Sequence, residues 1–450
     1  MNRLLLLLLM LLVVLSPLPL GSNREWSWTL CALLASLFTL LWAVTRGWRS
    51  DELKHFVHPA VSLLFLAVLA WVALQTAGWV PEAWKHPIWG QTAAVLGIDW
   101  VGMISVSAED SYTALMRLLS YALVFLLAFQ LGRDRSRAQA MLGWLVAAGL
   151  VYGVFGLAVF WSDYSPDWLF RGKVLLPDLR STFINRNHFA TWQGLTLLCA
   201  ISLFYLKMSA TPSRPYAMPE DRATRVEKYI LEAWLPLAIV LLMVTALVLT
   251  HSRGGFLSSL VAIIVLLYLL DSHSVSKKVT ARITVISALA VSCLAFYMTS
   301  EVLLDRIDRT DISNEQRVIV FENVQHGISE NPLLGFGYGT FADSFRLYDR
   351  LESPVHYDRA HNTWLENLFE LGVPAALALF LAIGGLALKC FRGVRRRRRD
   401  WAYPALGAAA SVLVGIHAML DFSLQLPAVA ILYACMMGVA CAQSNSSRLG

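Results

Sequence analysis

Three short polar clusters interrupt a mostly apolar chain, and each carries residues able to hold an anion or move a proton. The first is Asn185-Arg186-Asn187-His188, the second His251-Ser252-Arg253-Gly254-Gly255, the third His361-Asn362-Thr363-Trp364. Arg186 and Arg253 are the informative pair. A charged side chain in an apolar segment costs roughly 2.5–3.5 kcal/mol on insertion scales, so two of them beside apolar runs need a reason. A guanidinium fork matches phosphate oxygens two at a time, and two such forks would suit a diphosphate at a membrane surface. His361 is the natural proton acceptor, because imidazole titrates near neutrality. Asn362 and Thr363 beside it suit a helix cap and a donor. Against this stand blander readings. A single arginine at a membrane interface more often snorkels to headgroups or pairs with a carboxylate, and a lone histidine at a helix start is more often structural.

The elements that must position these clusters are membrane helices. Of 450 residues, 57% are hydrophobic and only 15% charged, against about 25% charged in soluble domains. Mean hydropathy is +0.56. Apolar runs fall near 4–20, 27–45, 57–80, 111–131, 138–161, 183–206, 231–250, 254–270, 283–300, 363–388, 402–420 and 425–441. Runs of roughly 20 residues fit helices, whose backbone groups are satisfied internally, and not barrel strands. The expected fold is therefore all-α: a polytopic integral membrane protein with about 12 transmembrane helices. The first run follows Arg3 and ends in Leu-Pro-Leu-Gly-Ser, so it fits a retained helix or a cleaved signal peptide.

The positive-inside rule orients the chain. Alternate loops are basic: Arg46, Arg49 and Lys54; Arg133, Arg135 and Arg137; Lys207, Arg214, Arg222, Arg225 and Lys228; Lys277, Lys278 and Arg282; then Lys389, Arg392 and Arg395 to Arg399. That parity puts both termini in the cytoplasm and all three polar clusters outside. It also explains the net charge of +6 without nucleic acid. The outside segments differ in kind. Residues 81–110 are semi-apolar, with Trp84, Trp89 and Trp100, and read as an interfacial or re-entrant piece. Residues 301–360 form one large periplasmic loop, in which Asn314 to Ser329 suits a helix with Val318, Phe321, Val324 and Ile328 on one face. Asn331-Pro332 ends it, and Gly335-Phe336-Gly337-Tyr338-Gly339 makes a flexible turn suited to a hinge.

Other polar residues carry less. Asp421 reads as a cap or an arginine partner, structural by default. Arg117, inside the fourth run near its outer end, is the residue that would best suit a transport pathway. Asp305, Asp308 and Asp311 are too loosely arranged for a calcium or magnesium site. The six cysteines show no metal-ligand spacing and no disulfide framework. No nucleotide-binding loop or zinc motif is present.

Taken in order, His251-Ser-Arg-Gly-Gly, Asn331-Pro-Leu-Leu-Gly-Phe-Gly-Tyr-Gly-Thr-Phe and His361-Asn-Thr-Trp-Leu-Glu-Asn-Leu-Phe-Glu-Leu-Gly-Val-Pro resemble the O-antigen ligase and polymerase family. The core of the resemblance covers about residues 235–385. It implies a metal-independent, cofactor-free glycosyltransferase of the bacterial inner membrane. Such an enzyme moves a glycan from a polyprenyl-diphosphate carrier to a lipid or glycan acceptor on the periplasmic side. By the same resemblance, Arg186 and Arg253 match the arginines that bind the diphosphate. His361 matches the histidine that activates the acceptor hydroxyl, with Asn185, His188, His251 and Asn362 in support. A ligase and a repeat-unit polymerase need the same clamp and base, so the sequence leaves both open. A transporter of lipid-linked sugars is the reading from another class, but it should show internal repeats and charges near the bilayer midplane. The organisation expected is residues 1–230 as N-terminal transmembrane helices, 231–390 as the ligase-like core with its loop, and 391–450 as C-terminal helices.

Overall fold

A computed structural model describes residues 2–46, 59–162, 178–210, 222–271, 307–348 and 357–445. The expected span at 283–300, Cys293 and Asp305 lie outside the described residues, as do Arg49, Lys54, Arg214, Lys277, Lys278 and Arg282. The described residues are helical and contain no strand. In chain order the helices are α1 (Asn2–Leu15), α2 (Glu25–Arg46), α3 (Pro59–Gln75), α4 (Pro87–Leu96), α5 (Ala108–Gly132), α6 (Arg135–Ser162), α7 (Arg186–Ala210), α8 (Arg222–Val248), α9 (Arg253–Asp271), α10 (Ile307–Glu330), α11 (Phe341–Phe345), α12 (Thr363–Leu371), α13 (Val373–Arg396), α14 (Ala402–His417) and α15 (Pro427–Ala442). Six of them are long and apolar enough to cross a membrane, namely α2, α5, α6, α7, α9 and α13. Five shorter apolar stretches (α1, α3, 234–248 of α8, α14 and α15) accompany them.

Apolarity does not decide which helices go to the centre, because lipid accepts an apolar face as readily as protein does; the central α7 buries the polar Thr191, Gln193, Thr196 and Ser202. The apolar stretch of α7 is 89% buried, whereas that of α2 is only 17% buried and keeps a broad face outward. α15 is likewise buried along nearly its whole length, packed between α5, α7 and α14. Small residues set that contact. A methyl group at Gly438 would stand 2.6 Å from the Phe125 carbonyl oxygen, so the glycine lets two backbones meet, as membrane helices commonly do.

The two ends of the bundle differ in chemistry. At one end the basic loops collect. Arg397 Nη1 donates to the Gln443 carbonyl (2.6 Å), Gln443 Nε2 donates to the Gly132 carbonyl (2.7 Å), and Arg135 pairs with Asp400 at 3.1 Å. At the opposite end lie the starts of α7, α9, α12 and α15 and the three polar clusters.

The polar end departs from the sequence reading in three places. The run at 363–388 is two helices, α12 and α13, broken at Gly372 (φ +76°) with Pro374 in the first turn of α13. The loop helix α10 begins earlier than expected. Its buried face holds Val320 and Val324, with Phe321 and Ile328 beside them, while Val318 faces outward. The glycine turn is not an open hinge. Gly335, Gly337 and Gly339 all have positive φ, and a Cβ on Gly337 would lie 2.2 Å from Ser105 Oγ. Gln75 at the end of α3 locks the turn. Its amide nitrogen donates to the carbonyls of Leu334 (2.8 Å) and Glu370 (3.0 Å), and its oxygen accepts from Tyr338 N (3.1 Å). Residues 81–110 form a surface excursion around α4, pinned at both ends by His86 N to the Met103 carbonyl and Ser105 N to the Gln75 carbonyl. Val95, Leu96, Ile98, Trp100 and Val101 lie exposed on it, which suits an interfacial position.

Candidate functional site

Two adjacent anchoring points assemble the site, each built on a buried carboxylate. The first is Asp178. The Leu179 amide donates to the Leu249 carbonyl at the end of α8 (3.0 Å), which brings Asp178 beside the turn into α9. Asp178 takes Arg186 Nη1 at 3.0 Å and has Arg180 Nη2 at 3.7 Å. His251 Nδ1 stands 3.1 Å from its other oxygen. An ionised carboxylate only accepts, so Nδ1 of His251 carries the proton in this contact. Asp178 thereby ties the first cluster to the second. Arg186 is held but not used up, since a third of its side chain stays exposed. Arg253, at the start of α9, is exposed and makes no ion pair among the described residues.

The second point is Asp421, in the turn between α14 and α15 and 1% exposed. Asn187 Nδ2 donates to its Oδ2, and Phe422 N donates to its Oδ1 at 2.7 Å. His361 Nδ1 lies 3.4 Å from Oδ1, a charge contact that falls short of an aligned hydrogen bond. Burial works to raise this carboxyl, but the neighbouring imidazoles of His361, His188 and His417 outweigh it and hold Asp421 well below the usual carboxylate range. The expectation of a cap or an arginine partner is therefore corrected. Asp421 pairs with an asparagine and a histidine. Its partners lie 234 and 60 residues away in sequence, and no local pattern announces them.

Asn187 joins the two points. While its amide nitrogen serves Asp421, its oxygen accepts from Ser252 Oγ at 2.7 Å. The residues next to that bond are Arg186 on one strand of the junction and Arg253 on the other. Gly255 makes the closeness possible, because a Cβ there would sit 2.5 Å from that of Ala190 on α7. On the Asp421 side, Thr363 N donates to the Ala418 carbonyl (2.8 Å) and Thr363 Oγ1 to the Asp421 carbonyl (3.2 Å). Asn362 caps α12, its Oδ1 accepting from Trp364 N and Leu365 N at 3.0 and 3.1 Å. Three helix N-termini, those of α7, α9 and α12, therefore meet at one place. Their dipoles favour an anion there.

Both motif histidines at these helix starts hold left-handed backbone, His251 at φ +50° and His361 at φ +53°. Non-glycine residues in that region carry of order 1–3 kcal/mol of strain and persist only when their surroundings enforce it. For His361 the enforcement is visible. Glu366, fully buried, accepts from Ala360 N (3.0 Å) and from Arg359 Nη1 (2.9 Å), fixing the two residues before the histidine. One turn on, Glu370 accepts from Phe341 N at 2.9 Å. Burial, and then the nearby Glu366, push the Glu370 carboxyl up to about 8.

Of the residues singled out in the sequence, Arg186, Arg253, His251, His361 and Asn362 fall into this junction. His188 is buried beside it, its ring edge-on to Phe422 at 4.7 Å, with no hydrogen-bond partner for Nε2 among the described residues. Asn185 accepts from Asn187 N at 2.8 Å and opens α7. Asp178, Asn187, Glu366 and His417, whose Nδ1 is 3.0 Å from Thr191 Oγ1, were not singled out. Asn187 lay within a recognised cluster, whereas Asp178 sits in a featureless loop.

Residues 238–380 match the model of the family described as O-antigen ligase. The matched segment contains Arg253, the packed glycine turn, Glu366 and His361, and leaves Asp178, Arg186 and Asp421 outside it. No curated protein matches the chain. Its long apolar helices make the chain a helical membrane protein. Over residues 238–380 the chain is similar to the O-antigen ligase family, and the rest of it lies outside the match.

Proposed function

We propose that this protein transfers a glycan from a polyprenyl-diphosphate carrier to an acceptor hydroxyl on the periplasmic face of the inner membrane. One observation carries the reading: the three polar clusters, far apart in sequence, meet at a junction of three helix N-termini with Arg186, Arg253 and His361 around it. The donor already holds a good leaving group. The protein must therefore grip the diphosphate, align an acceptor hydroxyl behind the anomeric carbon and take one proton.

Arg186, steadied by Asp178, and the exposed Arg253 grip the diphosphate, with N–H groups at the starts of α7 and α9 adding to the positive field. His361 presents Nε2 to the acceptor hydroxyl while Nδ1 faces Asp421. As the acceptor oxygen bonds to the anomeric carbon, its proton passes to Nε2. The bond from that carbon to the phosphate oxygen breaks, and the electron pair leaves with the diphosphate. Asp421 stabilises the imidazolium that forms, and the arginines stabilise the charge growing on the leaving group. A single displacement inverts the anomeric configuration. Positioning supplies much of the remaining acceleration.

The test is glycan analysis of a deletion strain complemented with wild type, Arg186→Ala, Arg253→Ala or His361→Ala. Loss of surface glycan with each variant, and build-up of carrier-linked glycan, is expected. Long polymer on the carrier marks a ligase, and single repeat units mark a polymerase. Normal surface glycan from all three variants overturns the assignment.

A further inference from the structure

Arg117 stands apart from the ion-paired arginines of the described residues. Arg180 and Arg186 pair with Asp178, Arg359 with Glu366, and Arg397 with Asp400. Arg117 makes no ion pair among the described residues. Its guanidinium carbon lies over the Trp28 ring, 3.6 Å from the centroid. Stacking uses the faces of a guanidinium and leaves its N–H edge for a planar or tetrahedral oxyanion. On that edge Nε is buried and has no hydrogen-bond partner. Four residues on, on the same face of α5, the Tyr121 hydroxyl is also buried and unpartnered. Two orphaned polar groups side by side, one of them charged, call for a partner.

The depth fits a phosphate. The first turns of α5, Ala108 to Thr113, are polar, and the apolar run starts at Ala114. Arg117 therefore lies about one turn inside the apolar boundary, within reach of headgroup phosphates by snorkelling. The placement also fits the reaction. Arg117 is within charge range of Arg359 and Tyr338, and Arg359 is two residues from His361. From His361 the donor arginines are reached through Asp421 and Asn187; Arg117 is reached through Arg359. The nearest carboxylates on this side are committed, Glu366 to Arg359 and Glu370 to the Phe341 amide, and Asp110 lies seven residues earlier on α5.

We propose that Arg117, with Trp28 behind it and Tyr121 beside it, is a second anion seat that takes the phosphate headgroup of a second lipid, the lipid-borne acceptor. This rests on the glycan-transfer reading, in which His361 works between donor and acceptor. A carrier-linked acceptor, a phosphorylated glycolipid and a phospholipid share the phosphate chemistry.

The test counts lipids on the full chain in phosphatidylcholine nanodiscs by native mass spectrometry, with a short-chain polyprenyl diphosphate as probe. Wild type is expected to bind two. Arg117→Gln should keep one and weaken the other at least about tenfold, the usual size of a lost charged hydrogen bond. Arg186→Ala/Arg253→Ala should lose the other one. Tyr121→Phe, which removes one oxygen and leaves the packing intact, should weaken only the Arg117 site. Phosphatidylglycerol added as competitor identifies the source: displacement of one probe assigns the seat to any anionic headgroup, and retention of both assigns it to the carrier diphosphate. Two probes bound by Arg117→Gln with unchanged affinity, or one bound by wild type, overturns the second seat. Two probes bound by the Arg186/Arg253 variant would instead overturn the donor site and leave Arg117 standing.

Discussion

Replacing Asp421 by Asn keeps the shape of the junction and removes its negative charge. Asp421 Oδ1 lies 3.4 Å from His361 Nδ1. At an effective dielectric of about 20, unit charges at that distance attract by about 5 kcal/mol, a ceiling that applies once the imidazole has taken a proton. Asparagine keeps a carbonyl dipole, and charged hydrogen bonds in proteins contribute about 1.5–3 kcal/mol. The transition state should therefore lose about 2–3 kcal/mol, a fall in kcat of roughly 30- to 150-fold. Donor KM should change less than about threefold, because Asp421 contacts neither arginine and a lost transition-state interaction acts on kcat. The assay is transfer from a polyprenyl-diphosphate glycan to acceptor by purified full-length protein in nanodiscs, with donor concentration varied. Thermal unfolding of the variant controls for folding. An unchanged kcat, or a loss confined to donor KM, would refute the role given to Asp421.

Further perturbations separate positioning from folding. Glu366→Gln removes the ion pair with Arg359 and loosens the backbone before His361; kcat should fall at least about tenfold while carrier binding by native mass spectrometry holds, and equal losses in both would contradict this. Gly337→Ala puts a methyl group 2.2 Å from Ser105 Oγ at φ +105°; overpacking and strain of roughly 2–4 kcal/mol should lower the midpoint of thermal unfolding, and an unchanged midpoint would mean that the turn yields. Glu370 gives a pH signature. Its folded carboxyl titrates at about 8, above the unfolded value of 4.5, so its stabilisation is full below pH 4.5 and is lost as pH rises through about 8. Glu370→Gln, permanently neutral, should flatten the decline in unfolding midpoint between pH 5 and 8, and an unaltered decline would place its cause elsewhere.

The legible parts of this molecule were those in which charge conflicts with its setting. Arg186, Arg253 and His361 stand at the edges of apolar runs, where a polar cluster is exceptional. Pairing across the bundle was not legible. Asn187 meets Asp421 only because α7 and α14 pack side by side, and an aspartate just past a helix end looks like a cap in any sequence. Asp178 belongs to a loop without periodicity, so nothing marked it as the partner of Arg186. The glycine turn shows the opposite error: three glycines suggest freedom, but here each has a positive φ and a neighbour where a Cβ would go, so the same composition makes a packed joint. The break at Gly372 was written in Gly-Val-Pro, yet continuous apolarity across it masked the turn.

The most direct test of the central claim uses carrier-linked glycan bound to His361→Ala protein in nanodiscs, with acceptor added and both product and freed polyprenyl diphosphate measured in a single turnover. The account expects donor to bind with wild-type affinity, transfer to fall at least about a hundredfold, and wild type to give a product of inverted anomeric configuration. Transfer at the wild-type rate by His361→Ala, or a retained configuration in the wild-type product, would contradict it.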